Sequence, residues 1–169
     1  QMNEILPDDI SVNNLRIVQD SFHAQKSARY RYYRYKIANR VQRSAFDRNL
    51  LHLREDLDID LMNEALGYLL GEHDFKSFTS TKKGKKSTVR RIDRIDIRKE
   101  GDLIPFTFEG NGFLYHMIRI LVGTLLEVGL GERNAKSIPD IIRAQNRELA
   151  GSLVPGKGLI LEEVYYETK

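Results

Sequence analysis

Residues 110–129, GNGFLYHMIRILVGTLLEVG, constrain the fold more than any other stretch of the chain. From about Phe113 to Leu130 the pattern reads as one apolar helix, closed by Gly129 or Gly131. At roughly 100° per residue, Leu114, Met117, Leu121, Val122, Leu125 and Val128 fall within about 100° either side of Ile118. That is one broad core stripe. Arg119 lies at its edge, near 100°, with Gly123 and His116 in the same sector at about 140° and 160°. An arginine there either lays its stem over the core and pairs with a surface acid such as Glu127, or enters a cleft and orients a carboxylate or phosphate with its rigid fork. On the second reading Gly123 removes bulk beside the guanidinium, and Gly110-Asn111-Gly112 lets backbone approach closely.

The other elements follow from local pattern. RYRYYRYKIA, residues 29–38, suits a strand, with Arg29, Arg31, Tyr33, Tyr35 and Ile37 on one face and Tyr30, Tyr32, Arg34 and Lys36 on the other. Neither face is cleanly apolar. DIDLMNEALGYLLG predicts a helix capped by Asp58 or Asp60, with Leu61, Ala65, Leu66 and Leu69 as its stripe and Gly71 as its stop. HDFKSF, residues 73–78, reads as a turn held by packed phenylalanines. Two strands joined at Glu100-Gly101-Asp102 precede the long helix. Ser137 and Asp140 form an S-x-x-D cap on a further helix with Pro139 in its first turn, and KGLILEEVYYE closes the chain as a strand. The order predicts an α+β fold, a largely antiparallel sheet with helices packed on one face. At 169 residues this is a single domain, 1–169, with no repeat or linker.

Charge is segregated. Seven cations and no acid occupy His23–Arg43, and seven more with no acid occupy Lys76–Arg91, so these stretches hold fourteen of the 27 basic residues. Such a footprint favours a polyanionic partner over a merely solvated face. The tyrosines at 30, 32, 33 and 35, interleaved with arginines, either stack bases or pack within the sheet. The histidines at 23, 52, 73 and 116 lack metal-ligand spacing, there is no cysteine, and no phosphate-binding glycine loop or serine-nucleophile elbow occurs. No metal and no cofactor are expected. No apolar run approaches the roughly 18 residues of a membrane span and QMNEILPDDI has no signal-peptide layout, so no membrane contact is expected, and the absence of cysteine fits a reducing, cytoplasmic setting.

FHAQKSARYRYYRY (22–35), GEHDFKSF (71–78), the 110–131 stretch, RAQNRELAG (143–151) and PGKGLILEEVYY (155–166) together resemble, in order, the C-terminal half of TruA-type tRNA pseudouridine synthases. The resemblance runs from about Leu6 to Tyr166. It implies isomerisation of uridine to pseudouridine at positions 38–40 of the tRNA anticodon stem-loop by a homodimeric parent, and carries Tyr33 and Arg119 into catalytic roles. By that resemblance Tyr33 stacks on the uracil and acts as a base at C5, and Arg119 pairs with the nucleophilic aspartate. Leu159 packs against the uracil and His116 lines the cleft. Ile120 departs from the asparagine common after the arginine. The GRTDAGVHA stretch that holds the family's aspartate, in the N-terminal half, does not occur in this sequence, so the fragment alone is expected to be inactive. Lys26, Arg29, Arg31, Lys82, Lys83, Lys85, Lys86 and Arg90 are the RNA-binding candidates. The alternatives are a non-catalytic basic RNA-binding module and a basic structural domain that binds no nucleic acid.

Overall fold

The computed structural model describes residues 2–81 and 87–166. The strands are β1 (Tyr30–Asn39), β2 (Leu51–Leu53), β3 (Gly71–Asp74), β4 (Val89–Ile97), β5 (Leu103–Gly110) and β6 (Leu159–Tyr165). The helices are α1 (Ile59–Leu66), α2 (Met117–Gly129) and α3 (Ile138–Ala144). The fold is α+β. One mixed sheet runs β2-β1-β5-β4-β3, and β6 also pairs with β1. All pairings are antiparallel except β1 with β2.

Cross-strand register explains the core. Tyr35 faces Phe106, Ile37 faces Ile104, and Ile95 faces Phe108, so these side chains share one side of the sheet. All but Ile95 and the half-buried Tyr33 among these residues are fully buried, and they join the apolar residues of α2 in one core. The opposite side, with Tyr32, Arg34 and Thr107, is half-exposed. The mixed pattern of β1 is thereby resolved: Tyr33, Tyr35 and Ile37 lie on the core side, Tyr32, Arg34 and Lys36 lie on the open side, and Arg31, on the core-side face, sits at the strand's end where it reaches the Asn111 carbonyl. On the open side Arg34 pairs with Glu162, the extra residue of a bulge in β6 opposite Tyr32 and Tyr33.

Several local expectations shift. Helix α2 starts at Met117 rather than Phe113, because His116 takes a left-handed conformation (φ 64°) and breaks the run. It ends where Gly131 turns left-handed (φ 73°). Asp58 caps α1, accepting from the Leu61 amide at 2.9 Å. That helix stops at Leu66, before Gly71, and buries Met62 where Leu61 was expected, leaving Leu61 exposed. Ser137 caps nothing: a 3-10 turn (Ala135–Ser137) precedes α3, so Asn134 takes the capping role and accepts from the Lys136 amide. The turn at 73–78 begins as strand β3, and its Phe75 and Phe78 are fully buried. No helix among the described residues is long and apolar enough to cross a membrane.

Candidate functional site

The site grows from how α2 is covered. One side packs on the sheet, and the stretch from Ala150 to Val154 crosses the other. The crossing is tight. A Cβ on Gly123 would stand 1.9 Å from the Ser152 carbonyl oxygen, and one on Gly151 would stand 2.6 Å from the Thr124 backbone. Thr124 Oγ1 accepts from the Gly151 amide at 2.9 Å, and Glu127 accepts from the Ser152 amide at 3.1 Å. Gly123 therefore makes room for a crossing backbone, not for the guanidinium of Arg119.

That crossing delivers two consecutive carbonyls to the site. Arg119 donates through Nε to the Val154 carbonyl at 2.6 Å, and the Tyr35 hydroxyl donates to the Pro155 carbonyl at 2.7 Å. The loop then turns over the guanidinium, with the Cβ position of Gly156 lying 3.7 Å from Nη1. Burial pushes the Tyr35 hydroxyl up to about 12, against the opposing pull of the Arg119 cation, so it remains a donor. Arg119 is half-buried and belongs to no ion pair among the described residues. Glu127, the acid that a snorkelling Arg119 would have used, binds Arg133 instead through two bonds of 2.7 and 2.8 Å. Arg119 is thus aimed by backbone, and it sits in the first turn of α2, where the helix dipole adds positive potential. The arrangement suits a carboxylate or phosphate.

Aromatic and apolar groups frame this cation. Tyr33 lies two residues before Tyr35 on the same face of β1 and meets Phe113 edge-to-face at 5.4 Å between ring centres. Leu159 is the cross-strand partner of Tyr35, just after the loop that covers Arg119. His116 caps α2 one turn before Arg119, stacks on Tyr115 at 3.7 Å, and has Nδ1 3.1 Å from Ser80 Oγ. Tyr35 links these elements: it follows Tyr33 on the same face of β1, pairs with Leu159 across the strands and feels the Arg119 cation, which in turn acts on His116 one helical turn away. Tyr35, Phe113 and the Val154 and Pro155 carbonyls belong to the same assembly. The sequence left Tyr35 between base stacking and packing and gave no sign of the carbonyls, because a carbonyl carries no residue signature.

The His116 imidazole is held below its ordinary 6.5, first by burial and then by the Arg119 cation. The folded state therefore resists a proton that the unfolded chain accepts. Stability contributed by the neutral ring is present above about pH 6.5 and is lost as pH falls below it. Asparagine tolerates the left-handed backbone. The drop in Tm from pH 7.5 to 5.5 should therefore be smaller in His116→Asn than in the unaltered protein. Equal drops in a thermal melt would contradict this assignment.

The cationic candidates separate into groups. Arg31 and Arg90 are half-buried and meet at the Asn111-Gly112 turn. Lys26 and Arg29 are exposed and line an open groove of about 750 Å³ with Phe22 and Tyr166. Lys82, Lys83, Lys85 and Lys86 lie outside the described residues.

Comparison with known proteins adds a family. A family model described as tRNA pseudouridine synthase matches residues 65–167. The chain is 44% identical over 160 residues to tRNA pseudouridine synthase A of Halalkalibacterium halodurans, covering 94% of this chain and 61% of that protein. It is 43% identical over 166 residues to tRNA pseudouridine synthase A 1 of Bacillus cereus, covering 98% and 67%. It is 42% identical over 166 residues to tRNA pseudouridine synthase A of Acetivibrio thermocellus, covering 98% and 68%. The chain thus spans between 61% and 68% of the length of these relatives.

Proposed function

The chain belongs to the tRNA pseudouridine synthase family, and from that premise we propose that it forms the C-terminal, RNA-binding and partly catalytic half of an enzyme that converts uridine to pseudouridine in the anticodon stem-loop of tRNA, at positions 38–40. The intact enzyme works in the cytoplasm as a homodimer. Its nucleophilic carboxylate comes from the part of the family's length that this chain does not span. The observation that carries the reading is Arg119. Its guanidinium is fixed by the Val154 carbonyl at 2.6 Å, in the first turn of α2, beside an aromatic and aliphatic frame.

The reaction breaks the N1–C1′ bond, turns the uracil, forms a C5–C1′ bond and moves the C5 proton away, leaving N1 protonated. A base taken out of its stack needs a ring to lie against and an apolar wall, which Tyr33 and Leu159 supply. Arg119 keeps a carboxylate ionised in a site partly shielded from water, and a guanidinium does not lose its own proton there. His116, kept neutral, offers a hydrogen bond at the cleft wall without adding a second charge beside Arg119.

Tyr33 tests the assignment. In the intact protein, Tyr33→Phe keeps the ring and its contact with Phe113 but removes the hydroxyl that would take the C5 proton. Tritium release from tRNA carrying C5-tritiated uridine is expected to fall by about a hundredfold or more, with RNA affinity retained. Near-normal release in that variant would remove Tyr33 from the proton transfer.

A further inference from the structure

Two guanidinium groups converge where β5 hands the chain to the turn before α2. Arg31, on β1, donates from Nη1 to the Asn111 carbonyl at 2.7 Å and from Nη2 to the Gln25 carbonyl at 2.9 Å. Arg90, on β4, donates from Nη1 to the carbonyls of Ser87 and Val89 at 3.0 and 2.6 Å. Between them stands Gly112. A Cβ there would lie 3.6 Å from Cδ and Nε of Arg90 and 3.7 Å from Nη1 of Arg31. Neither arginine belongs to an ion pair among the described residues.

Like charges brought this close repel, and burial together with Arg31 lowers the pKa of Arg90. Long side chains on a surface normally splay apart to escape such repulsion. Here backbone carbonyls on three segments hold them in place. A guanidinium has five N–H donors, and these bonds leave N–H groups on both free to turn toward one ligand. An oxyanion with several acceptor oxygens relieves the repulsion and satisfies both forks at once.

We propose that Arg31 and Arg90 form a clamp for a single backbone phosphodiester of the bound RNA, the one adjacent to the nucleotide presented to Tyr33. The clamp rests on the RNA-modifying reading given above and gives it a defined contact. Position argues for that phosphate. Arg31 precedes Tyr33 by two residues on the same face of β1, about 7 Å along the strand, a distance comparable to one nucleotide step. Gly112 leaves the turn between the two forks without a side chain, so both guanidinium groups come within about 4 Å of the same Cβ position and can be reached by one small anion.

The test is a fluorescence-anisotropy titration of the intact protein with an anticodon stem-loop RNA across a range of salt. Arg31→Gln and Arg90→Gln should each weaken binding about tenfold and lower the slope of log K against log salt by about 0.7 to 0.9, the contribution of one phosphate. The double variant should lose little more, because either substitution already releases the same phosphate. A second arm leaves the protein unaltered: RNAs carry one uncharged methylphosphonate at successive positions. One position next to the target uridine should reproduce the tenfold loss, and it should add nothing in either arginine variant. Independent losses that multiply in the double variant, or a methylphosphonate effect that persists undiminished in the variants, would overturn the clamp. If the unaltered protein binds the RNA with strong salt dependence and the variants match it, the clamp alone fails. If the unaltered protein binds no RNA, the functional reading fails with it.

Discussion

Arg119→Ala in the intact protein is expected to slow pseudouridine formation by about a thousandfold while changing RNA affinity by less than about threefold. The size follows from what the side chain holds. Its Nε is committed to the Val154 carbonyl at 2.6 Å, which fixes the plane of the fork, and the loop at Gly156 packs against its face. A carboxylate brought to that fork is kept ionised and oriented for attack, and alanine removes both effects. Lysine retains the charge but neither the planar fork nor the Nε bond, so Arg119→Lys should still lose about a hundredfold. The substitution also removes a charge-assisted hydrogen bond worth about 1.5–3 kcal/mol, so the assay belongs well below the variant's Tm. An arginine that merely covered the core would show that stability loss with turnover changed by less than a few-fold.

Gly123→Ala is expected to destabilise the protein by about 3 kcal/mol or more, a fall in Tm of about 10 °C for a chain of this size. Two effects oppose each other, and their magnitudes decide the outcome. Alanine is favoured over glycine inside a helix by about 1 kcal/mol. Against that, the new Cβ would lie 1.9 Å from the Ser152 carbonyl oxygen, which is backbone and has no rotamer to escape into. Either the crossing segment lifts away from α2 or the helix shifts from the sheet. Lifting would also carry off the Val154 and Pro155 carbonyls that aim Arg119 and Tyr35, so turnover should fall beyond what the loss of folded protein explains. Gly67→Ala is the control. Its Cβ would meet the Glu64 carbonyl oxygen at an ordinary 3.7 Å, and Gly67 has right-handed helical φ and ψ, so Tm should move by no more than about 2 °C. A thermal melt of both variants checks the pair, and a Gly123→Ala protein as stable as its parent would contradict the close crossing.

The same two positions show how far the sequence could be read. The stripe on α2 and the edge position of Arg119 followed from helical periodicity, because apolar residues repeat there over several turns. What lies against that edge did not follow. The crossing segment arrives from residues 150–154, and nothing in local pattern says which glycine it will meet. Gly123 was expected to relieve the guanidinium and instead relieves a backbone. The helix was expected to start at Phe113, yet a left-handed residue at His116 starts it at Met117, a conformation that periodicity does not encode. Strand β2 has three residues and a parallel partner, too short for alternation to show. The choice of Asn134 over Ser137 as a cap turned on a short 3-10 turn that adds a competing start one turn earlier. Tyr33 and Arg119 entered as candidates by resemblance to a family, whereas the convergence of Arg31 and Arg90 depended on two strands meeting at one turn.

The central claim is tested most directly by giving the intact protein three anticodon stem-loop transcripts, each with C5-tritiated uridine at one of positions 38, 39 and 40 and no other uridine in the loop-proximal stem. The proposed function predicts tritium release at one or more of these positions, approaching one equivalent per transcript, without added metal or cofactor, and its loss in Arg119→Ala. No release at any of the three from a folded, RNA-binding protein would contradict the account.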